Sequence, residues 1–105
     1  MLDKTQWGPV FWAYLHALAA TYPVNPRPED IRDMKFTLQT FVRFIPCVEC
    51  RNHTDAYFGK KPPTLSSRLE FFVYTVNFHN YVNQSLKKPL RSVEELVQLY
   101  AVNKK

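Results

Sequence analysis

Apolar residues recur three and four positions apart along most of the chain, the spacing of a helix face, and no stretch keeps the two-residue alternation of a strand. Over residues 7–20, Trp7, Val10, Phe11, Tyr14, Leu15 and Leu18 form one stripe, and Trp12, His16, Ala19 and Ala20 a neighbouring one. This pattern predicts a helix with two buried faces. It is expected to begin near Pro9, which suits a first turn, and to end by Tyr22, because Pro23 disfavours helical geometry in the residue before it. Pro23, Pro26 and Pro28 make a stiff connector, too short to separate two cores. Pro28 with Glu29 and Asp30 then opens a second helix, whose face of Ile31, Met34, Leu38, Phe41, Val42 and Ile45 runs to Pro46. A short third helix is predicted from Cys47 to Phe58, ended by Gly59-Lys60-Lys61-Pro62-Pro63. The capping box Ser67-x-x-Glu70 opens a fourth, carrying Phe71, Phe72, Val76, His79, Val82 and Leu86 to the stop at Lys87-Lys88-Pro89. A second box, Ser92-x-x-Glu95, opens a short fifth with Leu96, Leu99 and Tyr100. The expected fold is all-α, five helices packed as a bundle. Most of Phe11, Phe36, Phe41, Phe44, Phe71, Phe72 and Phe78 read as core packing.

Composition narrows this further. A chain of 105 residues is one domain, here residues 1–105, and 46% hydrophobic with 22% charged residues is a globular balance, not a disordered one. Only two glycines occur, Gly8 and Gly59, which excludes the glycine-rich loops of dinucleotide-binding and P-loop folds. The net charge of +5 suits an anionic ligand. Its only runs are the pairs Lys60-Lys61, Lys87-Lys88 and Lys104-Lys105, a dispersed pattern that reads as a solubilising surface and gives no reason to invoke nucleic acid. No run of about 18 apolar residues is present and residues 1–6 lack a signal-peptide core, so a soluble, non-secreted protein without a membrane anchor is expected.

Two cysteines, Cys47 and Cys50, are the sharpest chemical feature. One bridge closing so short a loop barely restricts the unfolded chain, so their role is expected to be chemistry or metal binding. At a helix start, with Pro46 before them, such a pair can form a readily exchanged disulfide, because the terminal N–H groups stabilise a thiolate. Thioredoxin-like chemistry would need a βαβ context, which is missing. Zinc bound by Cys47, Cys50, His53 and a distant His79 is the alternative, as part of a small interaction module. Spacing alone leaves redox chemistry, zinc and inert thiols open. His16 lies four residues after Trp12, and His79 four before Asn83, so each histidine shares a helix face with a group able to stack or hydrogen-bond. Two such faces could line one cavity for a planar, polar ligand.

Three fragments together carry a resemblance. Trp7-Gly8-Pro9-x-x-Trp12-x-x-Leu15-His16, Pro46-Cys47-x-x-Cys50 and His79-Asn80-x-Val82-Asn83-x-x-Leu86-x-Lys88-Pro89 stand in the order and spacing of the Erv/ALR flavin-dependent sulfhydryl oxidases. The chain resembles that family over roughly residues 7 to 100. Its short length and the tract Cys50-Arg51-Asn52-His53 are most similar to the minimal enzymes of large cytoplasmic DNA viruses.

The resemblance implies a four-helix bundle plus a short fifth helix, with FAD held non-covalently at the bundle mouth and no metal. Trp7, Gly8, Pro9, Trp12 and His16 would pack along the flavin and adenine. His79, Asn80, Val82 and Asn83 would hold the adenine and ribose, Lys88 would neutralise phosphate charge, and Tyr100 would lie on the adenine. It further implies that substrate thiols exchange with Cys47, that Cys50 is the flavin-proximal cysteine, and that oxygen takes the electrons as hydrogen peroxide. Larger relatives carry a further shuttle pair and a structural disulfide. With no third cysteine here, a protein dithiol or a small dithiol carrier protein is expected to meet Cys47 directly. A homodimer is implied, as is a setting in the host cytoplasm or the virion, with the mitochondrial intermembrane space as the alternative.

Overall fold

Asp3 starts the first helix well ahead of Pro9. In the computed structural model, which describes residues 3–102, the Asp3 carboxylate accepts from the Thr5 N–H at 3.3 Å while Gln6 Oε1 accepts from the Asp3 N–H at 2.9 Å. This reciprocal capping box opens α1, Lys4–Ala20. The expected start near Pro9 is therefore corrected. Pro9 sits inside the helix, where its missing N–H removes only the bond to the Thr5 carbonyl.

The other boundaries follow the sequence signals closely. Pro28 occupies the first turn of α2, Pro28–Arg43, behind Arg27 as cap, and Asp30 reaches back to the Arg27 N–H at 2.9 Å. Cys47 caps α3, Val48–Lys60, which runs through Gly59 and so ends slightly later than predicted. Ser67 caps α4, Arg68–Ser85, and Ser92 caps α5, Val93–Leu99, each hydroxyl accepting from the backbone three residues on. The return halves of those two boxes are replaced: Glu70 accepts from Ser66 and Glu94 from Ser92.

The described residues form five helices and no strand. α1 packs along α4, α5 closes on α4, and α2 contacts α3. Leu15, Ala19, Leu38, Phe71, Phe72, Val76 and Leu96 meet in one core. Burying a Phe or Leu side chain stabilises by about 1.5–3 kcal/mol, so this cluster supplies much of the drive to fold. Phe11 and Phe41 stack at 4.8 Å and join α1 to α2 at its edge.

Four residues depart from the expected core. Phe44 is 73% exposed, Phe36 69%, Val10 68% and Tyr14 51%. They lie on α1 and at α2, so the Val10–Tyr14 side of the first predicted stripe of α1 is not covered by this chain, whereas the stripe of His16, Ala19 and Ala20 is buried.

Candidate active site

The Cys47–Cys50 pair sits where the helix start makes a thiolate favourable. Cys47 is in extended geometry as the cap of α3, and its Sγ accepts from the Cys50 N–H at 3.2 Å. Both cysteines are free thiols and half-buried. The hydrogen bond from the Cys50 side chain, and then the Cys50 backbone N–H, pulls Cys47 below the ordinary thiol range. Burial, followed by the bond to Cys47, pushes Cys50 up. The two shifts are one relationship seen from both ends: Cys47 ionises more readily than an ordinary thiol and Cys50 less readily.

Two residues not singled out from the sequence brace this turn. The Ile45 carbonyl accepts from the Cys47 N–H at 2.8 Å and from Arg51 Nη2 at 3.0 Å, fixing the turn through Pro46. Lys4, in the first turn of α1, contributes positive charge that favours the thiolate on either cysteine.

Further along α1, Trp12 and His16 meet α4. Trp12 lies flat on His79 with ring centroids 3.8 Å apart and planes 6° from parallel. His16 Nε2 is 3.0 Å from His79 Nδ1, and His16 Nδ1 is 2.9 Å from Thr75 Oγ1. Tyr100, the C-terminal cap of α5, brings its ring 5.7 Å from His16. Burial, with the neighbouring His79 next, lowers His16 from 6.5 to about 4. Burial followed by the Arg91 and Lys88 charges lowers His79 from 6.5 to about 4. Both imidazoles are therefore neutral at pH 7, and the wall they form is aromatic and uncharged.

Cations gather at the end of α4. Lys87 adopts a left-handed φ of 59°, which lets the Lys87 N–H bond the Gln84 carbonyl at 3.1 Å and the Lys88 N–H bond the Asn83 carbonyl at 2.8 Å. That is a Schellman cap made without glycine. Asn80 spans the following loop: its Nδ2 donates to the Arg91 carbonyl at 2.9 Å and its Oδ1 accepts from the Arg91 N–H at 2.8 Å. The Asn80 side chain thus braces the segment that carries Lys88 and Arg91. Val82 is half-buried against the core and Asn83 is buried. Arg91 and Thr75 are further site neighbours that no sequence motif pointed to.

At the start of α1, Trp7 is half-buried, with Nε1 buried and lacking a hydrogen-bond partner among the described residues. A Cβ added to the neighbouring Gly8 would meet nothing within 4 Å. Pro9 beside it is exposed.

The zinc arrangement is not assembled. Among the described residues no three His, Cys, Asp or Glu side chains converge as a metal site. His53 is exposed on α3, while His79 is engaged by Trp12 and His16.

Comparison with known proteins decides among the remaining readings. The sequence model of the Erv1 / Alr family matches residues 9–101. The chain belongs to the Erv1/Alr family. Within that family, a protein of Invertebrate iridescent virus 3 is 35% identical over 103 residues, which cover 96% of this chain and 70% of the viral one. An FAD-linked sulfhydryl oxidase of African swine fever virus is 34% identical over 94 residues, 90% of this chain and 79% of its own. The crystal structure of the FAD-binding domain of Erv1 from Saccharomyces cerevisiae superposes with a TM-score of 0.91 at 30% identity, covering 95% of each chain. The overall fold thus coincides with that of the Erv1 FAD-binding domain, and the zinc-module alternative finds no support.

Proposed function

We propose that this Erv1/Alr chain is an FAD-linked thiol oxidase that forms disulfides in protein dithiols through Cys47 and Cys50. The observation that carries the reading is the asymmetry of the pair at the α3 N-terminus, where Cys47 Sγ, at the cap, accepts from the Cys50 N–H at 3.2 Å and is the more readily ionised of the two. That asymmetry suits Cys47 as the cysteine exchanging with substrate and Cys50 as the inner partner.

In the oxidised enzyme a substrate thiolate attacks Cys47 Sγ, forming a mixed disulfide and releasing Cys50 as the leaving thiolate. The substrate's second thiolate then attacks its own sulfur, releasing Cys47 and leaving a substrate disulfide. Cys47 is the better leaving group at that point because the Cys50 N–H and the Cys50 thiol stabilise its negative charge. Two electrons and two protons have then moved from substrate to the pair. FAD held in the cleft would supply the remaining chemistry, that of a two-electron acceptor which oxygen can reoxidise with formation of hydrogen peroxide.

The residues present fit such a cofactor. The orphaned Trp7 Nε1 donor and the open space above Gly8 suit a flat polar group lying along α1. A helix-interior glycine costs about 1 kcal/mol against alanine, so its presence where a methyl group would fit favours close approach by a ligand. Trp7, Gly8, Pro9, Trp12 and His16 on α1, with His79, Asn80, Val82 and Asn83 on α4 and Tyr100 after α5, would hold the ring systems. Lys88 and Arg91 would meet the diphosphate.

No helix among the described residues is long and apolar enough to cross a membrane. A protein dithiol or a small dithiol carrier is the natural electron donor, because the only cysteines are the pair itself. Val10, Phe41 and Phe44 line one groove between α1 and α2, with Tyr14 5.7 Å from Phe41, and this uncovered apolar face supports a homodimer. The viral relatives favour action in the host cytoplasm or in the virion. Oxygen consumption with a reduced dithiol tests the activity: peroxide should form stoichiometrically with disulfide, and a colourless protein that consumes no oxygen would rule the proposal out.

A further inference from the structure

Thr75 is buried on α4, one turn before His79, and touches no surface that a ligand could reach directly. Its hydroxyl carries a single hydrogen and has two neighbours that could take it, the Phe72 carbonyl at 2.7 Å and His16 Nδ1 at 2.9 Å, and the shorter contact to the carbonyl, which can only accept, is where that hydrogen is assigned. With the hydrogen there, the 2.9 Å contact to His16 runs the other way, with Nδ1–H donating to Oγ1. A neutral imidazole has one donor and one acceptor nitrogen, so His16 Nε2 is an acceptor. Across the 3.0 Å contact it takes the hydrogen of His79 Nδ1. His79 Nε2 is left as a lone pair, without a partner among the described residues. The opposite arrangement, with the proton on His16 Nε2, requires the Thr75 hydroxyl to swing its hydrogen onto Nδ1 and give up the shorter bond to Phe72.

We infer that Thr75 fixes the tautomer of both histidines and so makes His79 Nε2 a hydrogen-bond acceptor, selecting a ligand that presents an N–H or O–H at that point of the cleft. The inference rests on the proposed reading of the cleft as the FAD site. Among the groups of FAD, the adenine amine and the ribose hydroxyls are such donors. A ligand offering only an acceptor there would set two lone pairs against each other and leave both without a hydrogen. Thr75 is a positioning residue, acting through His16 and His79. Its helix neighbours are apolar or aromatic, so the chain Phe72–Thr75–His16–His79 is the path by which a backbone carbonyl dictates the polarity of an accessible ring nitrogen.

The test is nitrogen NMR of the purified full chain, labelled at histidine, with exposed His53 as an internal reference. Wild-type protein should show protonated Nδ1 and bare Nε2 on both His16 and His79, the tautomer that free histidine disfavours. Thr75→Val keeps the shape but removes the acceptor. It should reverse both rings, giving His79 an Nε2–H and weakening FAD binding about tenfold, the value of one neutral hydrogen bond. Thr75→Ser should retain the wild-type pattern and bind FAD within about twofold of it, and these two readings stand if the valine variant does not fold. A protonated Nε2 on wild-type His79, a serine variant with reversed rings, or a valine variant with unchanged tautomers would overturn the inference. Absence of flavin from the wild-type protein would instead strike the FAD reading, since the tautomers are read without reference to the cofactor.

Discussion

Trp12 on α1 and His79 on α4 lie face to face at 3.8 Å, and this stack is where the two helices that dominate the fold also build the wall we propose for the cofactor. A neutral imidazole makes that stack favourable, and His79 is kept neutral by burial beside Arg91 and Lys88. His79→Ala removes both the stack and the hydrogen bond to His16. Flavin content of the purified variant should fall, with FAD affinity weaker by about tenfold or more. Undiminished flavin would take His79 out of the site.

Cys47→Ser and Cys50→Ser each break the exchange sequence, because a disulfide needs both sulfurs. Either variant should lose dithiol-dependent oxygen consumption by several orders of magnitude while purifying with its cofactor. Substantial turnover in both would contradict the assigned roles. Mixed-disulfide trapping separates them: a substrate thiol activated as a mixed disulfide with an aromatic thiol should be captured by the Cys47 thiolate in Cys50→Ser, releasing the aromatic thiol, and faster capture by Cys50 in Cys47→Ser would reverse the order.

His16 and His79 titrate near 6.5 when unfolded and near 4 in the native chain. Between those values the unfolded chain binds more protons, so folding stability falls as pH is lowered through this window and is fully present above about 6.5. Urea unfolding midpoints measured from pH 7 to 4 should decline accordingly, and His79→Gln should flatten the decline. A midpoint that stays level over this range would show the two imidazoles to be charged or exposed in the folded state.

Phe44 and Val10 give the homodimer proposal its simplest test. Phe44→Asp places a charge on the uncovered face without disturbing the core, since Phe44 is 73% exposed. Sedimentation should show the wild-type chain as a dimer and the variant as a monomer with an unchanged circular dichroism spectrum. A monomeric wild-type chain would remove the dimer from the account.

The helices were legible because local chemistry marks their ends: Pro28, Ser67 and Ser92 each sit at the start they announce. The start of α1 is not legible from Pro9, which suggests a first turn, because Asp3 and Gln6 satisfy backbone donors further upstream. Phe36 and Phe44 read as core from sequence because an apolar residue type is silent on whether the same chain covers it. The cysteine pair stood out through spacing. Its rival zinc reading could be closed only by seeing His79 committed to Trp12 and His16. Thr75, Arg91, Lys4 and Arg51 were missed because each is a single polar residue whose meaning depends on partners distant in sequence. For Thr75 one signal was present, its position four residues before His79, which puts both on one face of α4.

The most direct test of the central claim is the visible spectrum of the purified chain under anaerobic conditions as a reduced dithiol is added. The account predicts a yellow protein whose flavin absorbance bleaches on addition and returns on admitting oxygen, with no bleaching in Cys50→Ser. A flavin band that bleaches at the same rate without the cysteine pair, or a protein that carries no flavin at all, would contradict it.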